Sequence, residues 1–410
     1  MNRGLTFAVA AGAALLMAGC GGGSNPSAPT LSTVASVNAA STAPSAGPSS
    51  GFNNFVVFGD SLSDDGAYTL AAVGVYASVP FLGTLPYSAG GQFTVNGAST
   101  GNWTGVLAQN LGLSLAPNVV GYTTSGVTAY LTPTGTTTTL SSATCAFNTA
   151  PSGSPKNCTD FAQGGSMVAN SDGIGHSTGA LTYPVTQQLQ NYLGEFGSFN
   201  SSQLVSVLAG NNDIFTALSG VQTAESQGVA QSTAVAQAQA TVAVAADQLA
   251  GVVKSILGNG GRYVVVYTLP DSSLSPFGQS LAGGTTCDNK NPQTACYLLS
   301  NLVQVFNQRL LNDLQGQPVK MIDGFALLNQ EVASPASFGF TNVTTPWCDL
   351  SHVNNTSLLC NVNTPATAYG ASTSNLGSWL FADAVHPTPA GYQVIANATL
   401  AELRSFGWVS

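Results

Sequence analysis

Phe55-Val56-Val57-Phe58-Gly59-Asp60-Ser61-Leu62 is the stretch on which the reading of this chain turns. Four consecutive apolar residues without alternation read as a short strand covered on both faces. Gly59 and Asp60 end it. Ser61 then stands at the carboxyl end of a buried strand, where open α/β sheets place their active sites. A helix following Ser61 would also put its amide at a positive dipole end suited to an oxyanion. Taken alone, such a serine is more often a turn residue or a helix cap, so its role depends on what accompanies it.

Three further apolar runs, at 204–208, 263–269 and 319–322, look like the first. Between 204–208 and 263–269 lies an Ala-rich segment in which Val242, Ala245, Leu249, Val252 and Ile256 recur at helical spacing, closed by Gly258 and the pair Gly260-Gly261. A helix joining buried strands is a βαβ crossover. A second helix is expected from 297 to 314. A last one starts at Thr388-Pro389, with Thr as cap and Pro in the first helical position. The class is α/β with a mostly parallel sheet. Stretches 78–102, 116–160 and 333–380 are rich in Thr, Ser, Asn, Gly and Pro and read as long loops or small β insertions.

The chain has 410 residues, of which 6% are charged, against roughly a quarter in ordinary globular proteins. Its surface must be polar but largely uncharged. A net charge of -9 leaves no basic footprint, which argues against nucleic acid as a partner. One domain with appendages accounts for the length.

Arg3 precedes an apolar run from Leu5 to Met17, and Leu16-Met17-Ala18-Gly19-Cys20 follows. This is the pattern of a secretory signal, 1–19. Small residues before a cysteine look like a lipobox, which would make Cys20 the lipidated first residue of the mature chain and anchor it to a membrane. Ordinary cleavage nearby is the alternative. Residues 20–50 are Gly, Ser, Pro, Ala and Thr with almost no large apolar side chain, so they are expected to be a flexible linker, with the folded domain at 51–410. The other cysteines fall into three close pairs, Cys145/Cys158, Cys287/Cys296 and Cys348/Cys360. Export favours disulfides, and local pairing needs only short loop closures.

Three other segments carry groups for acyl chemistry. Phe161-Ala162-Gln163-Gly164-Gly165-Ser166 offers an unobstructed glycine amide, although a turn would look the same. Leu208-Ala209-Gly210-Asn211-Asn212-Asp213 follows a strand and offers the side-chain amide of Asn212. Asp383-Ala384-Val385-His386-Pro387 supplies a base of near-neutral pKa, with a carboxylate three residues before it to orient the ring. The Gly-x-Ser-x-Gly matches at Ser99 and Ser177 are weaker, because neither serine is joined directly to a strand.

Together the segments resemble the GDSL family of lipases and esterases, also called SGNH hydrolases. Gly-Asp-Ser-Leu at 59–62, Ala-x-Gly-Gly at 162–165, Gly-x-Asn-Asp at 210–213 and Asp-x-x-His at 383–386 stand in the family's order. The resemblance spans about 53–407. It implies a three-layer α/β/α sandwich of flavodoxin-like type and a Ser61–His386–Asp383 triad without cofactor or metal. Its oxyanion hole would consist of the Ser61 amide, the Gly164 amide (ahead of Gly165) and Asn212. The implied reaction is hydrolysis of carboxylic acyl esters through an acyl-enzyme. Relatives of the same site include phospholipases, acyltransferases and polysaccharide deacetylases. A glycan-binding surface lipoprotein without catalysis is the more distant alternative.

Overall fold

The four apolar runs become the four strands of one parallel sheet in the computed structural model, which describes residues 31–68, 91–120, 143–144, 158–282, 287–292, 294–353 and 355–410. The strands are β1 (Asn54–Gly59), β2 (Gln203–Leu208), β3 (Tyr263–Tyr267) and β4 (Lys320–Ile322), in that spatial order. Phe55 faces Leu204, Val205 faces Val264 and Val266 faces Met321. Every residue of β2 and β3 is buried, which explains why the runs are continuous rather than alternating. Residues 159–161 lie along the free side of β1: Val57 N–H donates to Thr159 O and Phe161 N–H to Val57 O, both at 2.9 Å. That pairing brings the Gly164-Gly165 segment beside Ser61.

Helices cover both faces, giving the three layers. On one side α3 (Val185–Phe196), α4 (Asn211–Ser226), α5 (Gln231–Gly258) and α7 (Ala295–Leu314) pack together. The buried stripe of α5 includes Ala234, Ala238, Val242, Ala245, Leu249, Val252 and Ile256, and its small residues let α4 and α7 approach closely. On the other side α2 (Trp103–Asn110) packs on α9 (Pro389–Ser405). Trp103 is fully buried, its ring 5.1 Å from Tyr267 and 6.3 Å from Phe55. Thr388 caps α9 by accepting from Gly391 N–H, as its Thr-Pro start predicts. The short α6 (Pro276–Ser280) and α8 (Gly324–Ala333) follow β3 and β4.

No helix follows Ser61 through residue 68; the chain makes turns there. The Asn-rich segment after β2 opens a full helix, α4. Residues 33–50, expected to belong to the linker, instead dock on the body as a strap beginning with α1 (Val34–Ala40). The Asn38 amide pairs with both backbone groups of Met321, at 2.6 and 2.9 Å, and so covers the open edge of β4. Val37 is fully buried, Trp408 Nε1 donates to Pro44 O, and Gly47 N–H donates to Gly407 O. Composition misses this strap because hydrogen bonds hold it more than apolar bulk does.

Disulfides join Cys287 to Cys296 and Cys348 to Cys360, with Cα atoms 6.1 and 5.9 Å apart. Cys158 is also disulfide-bonded. Cys145 and Cys20, like the signal segment 1–19, lie outside the described residues. Residues 334–353 and 355–380 form loops and short 3-10 segments, and a two-residue ladder pairs Val119–Val120 with Ala143–Thr144.

Candidate active site

The ends of β1 and β2 and the segment beside them converge on one cleft of about 330 Å³. Ser61 is buried at its floor, two residues past β1. Asp60 fixes the turn: its Oδ1 accepts from Leu62 N–H at 3.0 Å and its Oδ2 from the Asn211 side chain at 3.3 Å. Burial raises the pKa of Asp60 against these bonds. Gly210 leaves β2 with φ +128°, and a Cβ there would lie 2.5 Å from the Phe306 ring, so only glycine makes this turn into α4.

The Asp-His segment reaches the cleft from the loops. Asp383 Oδ1 accepts from the amides of Val385 and His386 at 2.8 and 2.7 Å. Its Oδ2 meets His386 Nδ1 at 2.7 Å and Ser357 N–H at 2.9 Å. A carboxylate only accepts, so Nδ1 is the donor and the Nε2 lone pair faces Ser61 Oγ, 2.7 Å away. Burial opposes a charge on Asp383, but the facing His386 and these hydrogen bonds outweigh it and hold the carboxyl well below the usual carboxylate range. The Phe93 ring packs 4.9 Å from the imidazole, and Thr94 Oγ1 donates to Pro387 O.

Of the expected oxyanion donors, Gly164 is corrected. Its amide is already taken by Asp64 Oδ2 at 2.8 Å. A Cβ on Gly164 would also sit 2.1 Å from the Phe93 ring. Gly165 lines the same cleft with φ +79°, and its N–H has no hydrogen-bond partner among the described residues. The Ser61 amide is likewise unpaired among them. Asn212 lies in the first turn of α4, buried, with one amide hydrogen on Ser166 O at 2.8 Å and the other available to the cleft that it lines.

The other candidates fall elsewhere. Ser99 and Ser177 are exposed and follow no sheet strand. His176 contacts Thr182 Oγ1 at 3.1 Å. Asp349 and His352 repeat the Asp-x-x-His spacing and even the Nδ1–Oδ2 contact, at 2.8 Å, but on an exposed turn outside the cleft. Spacing alone therefore does not single out His386; its place opposite Ser61 does.

Sequence reasoning missed the acids and amides that hold the site. Asp64, three residues past the nucleophile, accepts from Gly66, Ala67 and Gly164 amides. Burial pushes its carboxyl up to about 6. Asp160 accepts from Asp65 and Ala162 amides, and burial, with the Asp64 and Asp65 charges, raises it well above the usual range. Burial and the Asp64 charge push Asp65 up to about 8. Asn96 holds the 357–360 loop through its Nδ2 to Cys360 O, at 2.8 Å, and to Ser357 O. Among the described residues, no group of three His, Cys, Asp or Glu could hold a metal ion.

A parallel α/β sheet with Ser, His and Asp in one hydrogen-bonded line at its strand ends has the form of a serine hydrolase site. The chain belongs to the GDSL-like lipase/acylhydrolase family, whose model matches residues 55–399. It is 29% identical over 375 residues to an uncharacterized protein of the trpE-trpG intergenic region of Pseudomonas putida, covering 89% of this chain and 50% of that protein. It is 28% identical over 163 residues to the GDSL esterase/lipase APG of Arabidopsis thaliana, covering 38% of this chain and 43% of that one. The chain thus spans half or less of the length of these relatives.

Proposed function

We propose that the protein is an exported serine esterase that hydrolyses carboxylic acyl esters. The observation that carries this reading is the line Asp383–His386–Ser61, with 2.7 Å at each link, opening on a cleft that has unpaired amides. Ser61 Oγ attacks the ester carbonyl as His386 Nε2 takes its proton, and Asp383 stabilises the imidazolium. The amides of Ser61 and Gly165 and the Asn212 side chain receive the oxyanion, each donor contributing on the order of 3 kcal/mol. His386 returns the proton to the leaving alcohol, and water then cleaves the acyl-enzyme by the same steps in reverse.

Phe93, Ile174, Phe215, Phe277 and Leu358 line the cleft, which favours an apolar acyl group over a glycan. The Cys287–Cys296 and Cys348–Cys360 disulfides fit an oxidising compartment. With Cys20 lipidated, the twelve residues from Gly21 to Ser32 would connect the membrane to the strap, a span of at most roughly 40 Å.

A fluorophosphonate probe is expected to label Ser61, and Ser61→Ala is expected to abolish both labelling and hydrolysis of p-nitrophenyl esters. Persistent labelling at Ser99 or Ser177 would overturn the assignment. Replacing Cys20 with Ala is expected to release the protein from the membrane fraction.

A further inference from the structure

A second cavity, of about 60 Å³, lies beyond the inner wall of the catalytic cleft. It is enclosed by the end of β3, by α8 and by α9, and it shares Leu62, Pro270, Leu328, Phe381 and Val385 with the cleft. Leu328 and Phe381 belong to a small hydrophobic cluster separate from the main core. The volume holds several atoms in file, where one water needs roughly 10–15 Å³.

Glu331 lines this mostly apolar chamber. It is 3% exposed, and its Oε1 is sealed from solvent without a hydrogen-bond partner. The nearby hydroxyls are engaged elsewhere: Tyr267 pairs with Thr399 at 2.8 Å, and Thr268 donates to Asp323 at 3.1 Å. No ion pair reaches Glu331 among the described residues. Buried polar groups are nearly always satisfied, so an orphaned carboxyl oxygen on a residue that lines a cavity next to a reaction site points to a ligand.

We infer that this cavity is an inner subsite for the substrate's tail, in which Glu331 recognises a hydroxyl group carried on an aliphatic chain. The inference rests on the ester-hydrolase reading of the adjoining cleft. Burial pushes the Glu331 carboxyl up to about 8, so at neutral pH it is mostly the neutral acid, with one O–H to donate and oxygens to accept. A hydroxyl both donates and accepts and can satisfy both at once. A plain alkyl end leaves the acid unpaired, and a charged end would have to be stripped of water with no counter-ion to meet it.

The test compares p-nitrophenyl alkanoates from butanoate to decanoate with their terminally hydroxylated counterparts of equal length. The readout is the ratio of kcat/KM within each pair, which a general loss of folding or activity does not move. The native protein is expected to favour the hydroxylated ester at one chain length by about tenfold, the worth of a good buried hydrogen bond. Glu331→Leu is expected to erase or reverse that ratio, and Glu331→Gln to keep part of it. Equal turnover of both members at every length, or a preference that survives Glu331→Leu, overturns the subsite while leaving the esterase standing. Inert acetate and alkanoate esters in the native protein would sink the esterase reading, and the subsite with it.

Discussion

Ser61 and the Asp383–His386 pair reach the same cleft from two unlike kinds of support. Ser61, Gly165 and Asn212 hang on strand ends or beside them, fixed by the ladder of β1 and β2 and by buried acids that grip backbone amides. Asp383 and His386 stand on a loop between Phe381 and α9. That loop is held by Trp347 and Cys348, whose amides donate to Phe381 O and Ala382 O, and by Ser357 N–H on Asp383. The Cys348–Cys360 disulfide closes the loop that carries Ser357, and Asn96 pins its end. The sheet positions through many small, redundant bonds, whereas the arm depends on a few covalent and side-chain links. Damage should therefore spread differently in the two.

The largest expected effect lies on the arm. Asp383→Asn keeps the shape but disturbs the tautomer of His386, and kcat is expected to fall on the order of 10³ to 10⁴-fold. A fall of less than tenfold would show that the Ser357 and His386 contacts orient the ring without the charge. On the sheet side, Asn212→Ala is expected to lower kcat on the order of 10² to 10³-fold with little change in KM. A change confined to KM would remove Asn212 from the oxyanion site.

Next in size comes the disulfide. Replacing Cys348 and Cys360 with Ser is expected to cost about 3 kcal/mol of stability and to slow fluorophosphonate labelling of Ser61 by about tenfold. Unchanged labelling would break the contrast, since the arm would then hold itself. The smallest effect is expected from pH, where the two supports pull in opposite directions. Asp64, Asp213 and Asp65 are pushed up to about 6, 7 and 8, chiefly by burial. The folded state keeps protons there that the unfolded chain has shed. Their contribution is full below about pH 4 and is lost as the pH rises to about 8. Asp383, held low, contributes above about pH 4 and loses its contribution only as the pH falls through its folded value. Melting temperature should thus fall from pH 5 to pH 9. A rise over that interval would mean that the buried acids are ionised in the folded protein.

The same division explains what the sequence made legible. Strands covered on both faces write themselves as unbroken apolar runs, so β1 to β4 and the crossover helix α5 could be located from the residues alone. Thr388-Pro389 marked the start of α9 for a local reason. The arm has no period to read: Asn96, Ser357 and Cys360 meet through contacts across more than 250 positions of chain, which no local pattern encodes. The choice between Gly164 and Gly165 was illegible for the same reason, since it turns on Asp64, a hundred residues earlier, taking one of the two amides. The strap was hidden because Asn38 satisfies a sheet edge with a single side-chain amide, and composition counts only apolar bulk.

That strap ties the front of the folded body to its rear, for Pro44 and Gly47 bond to Trp408 and Gly407. A protease cutting between Cys20 and Thr33 would leave every one of these ties intact. On the proposed lipidation of Cys20, one nick there should release the protein into free diffusion at full specific activity. A nick between Ser41 and Gly51 would uncover the edge of β4 and turn the released protein into a template for strand-to-strand aggregation.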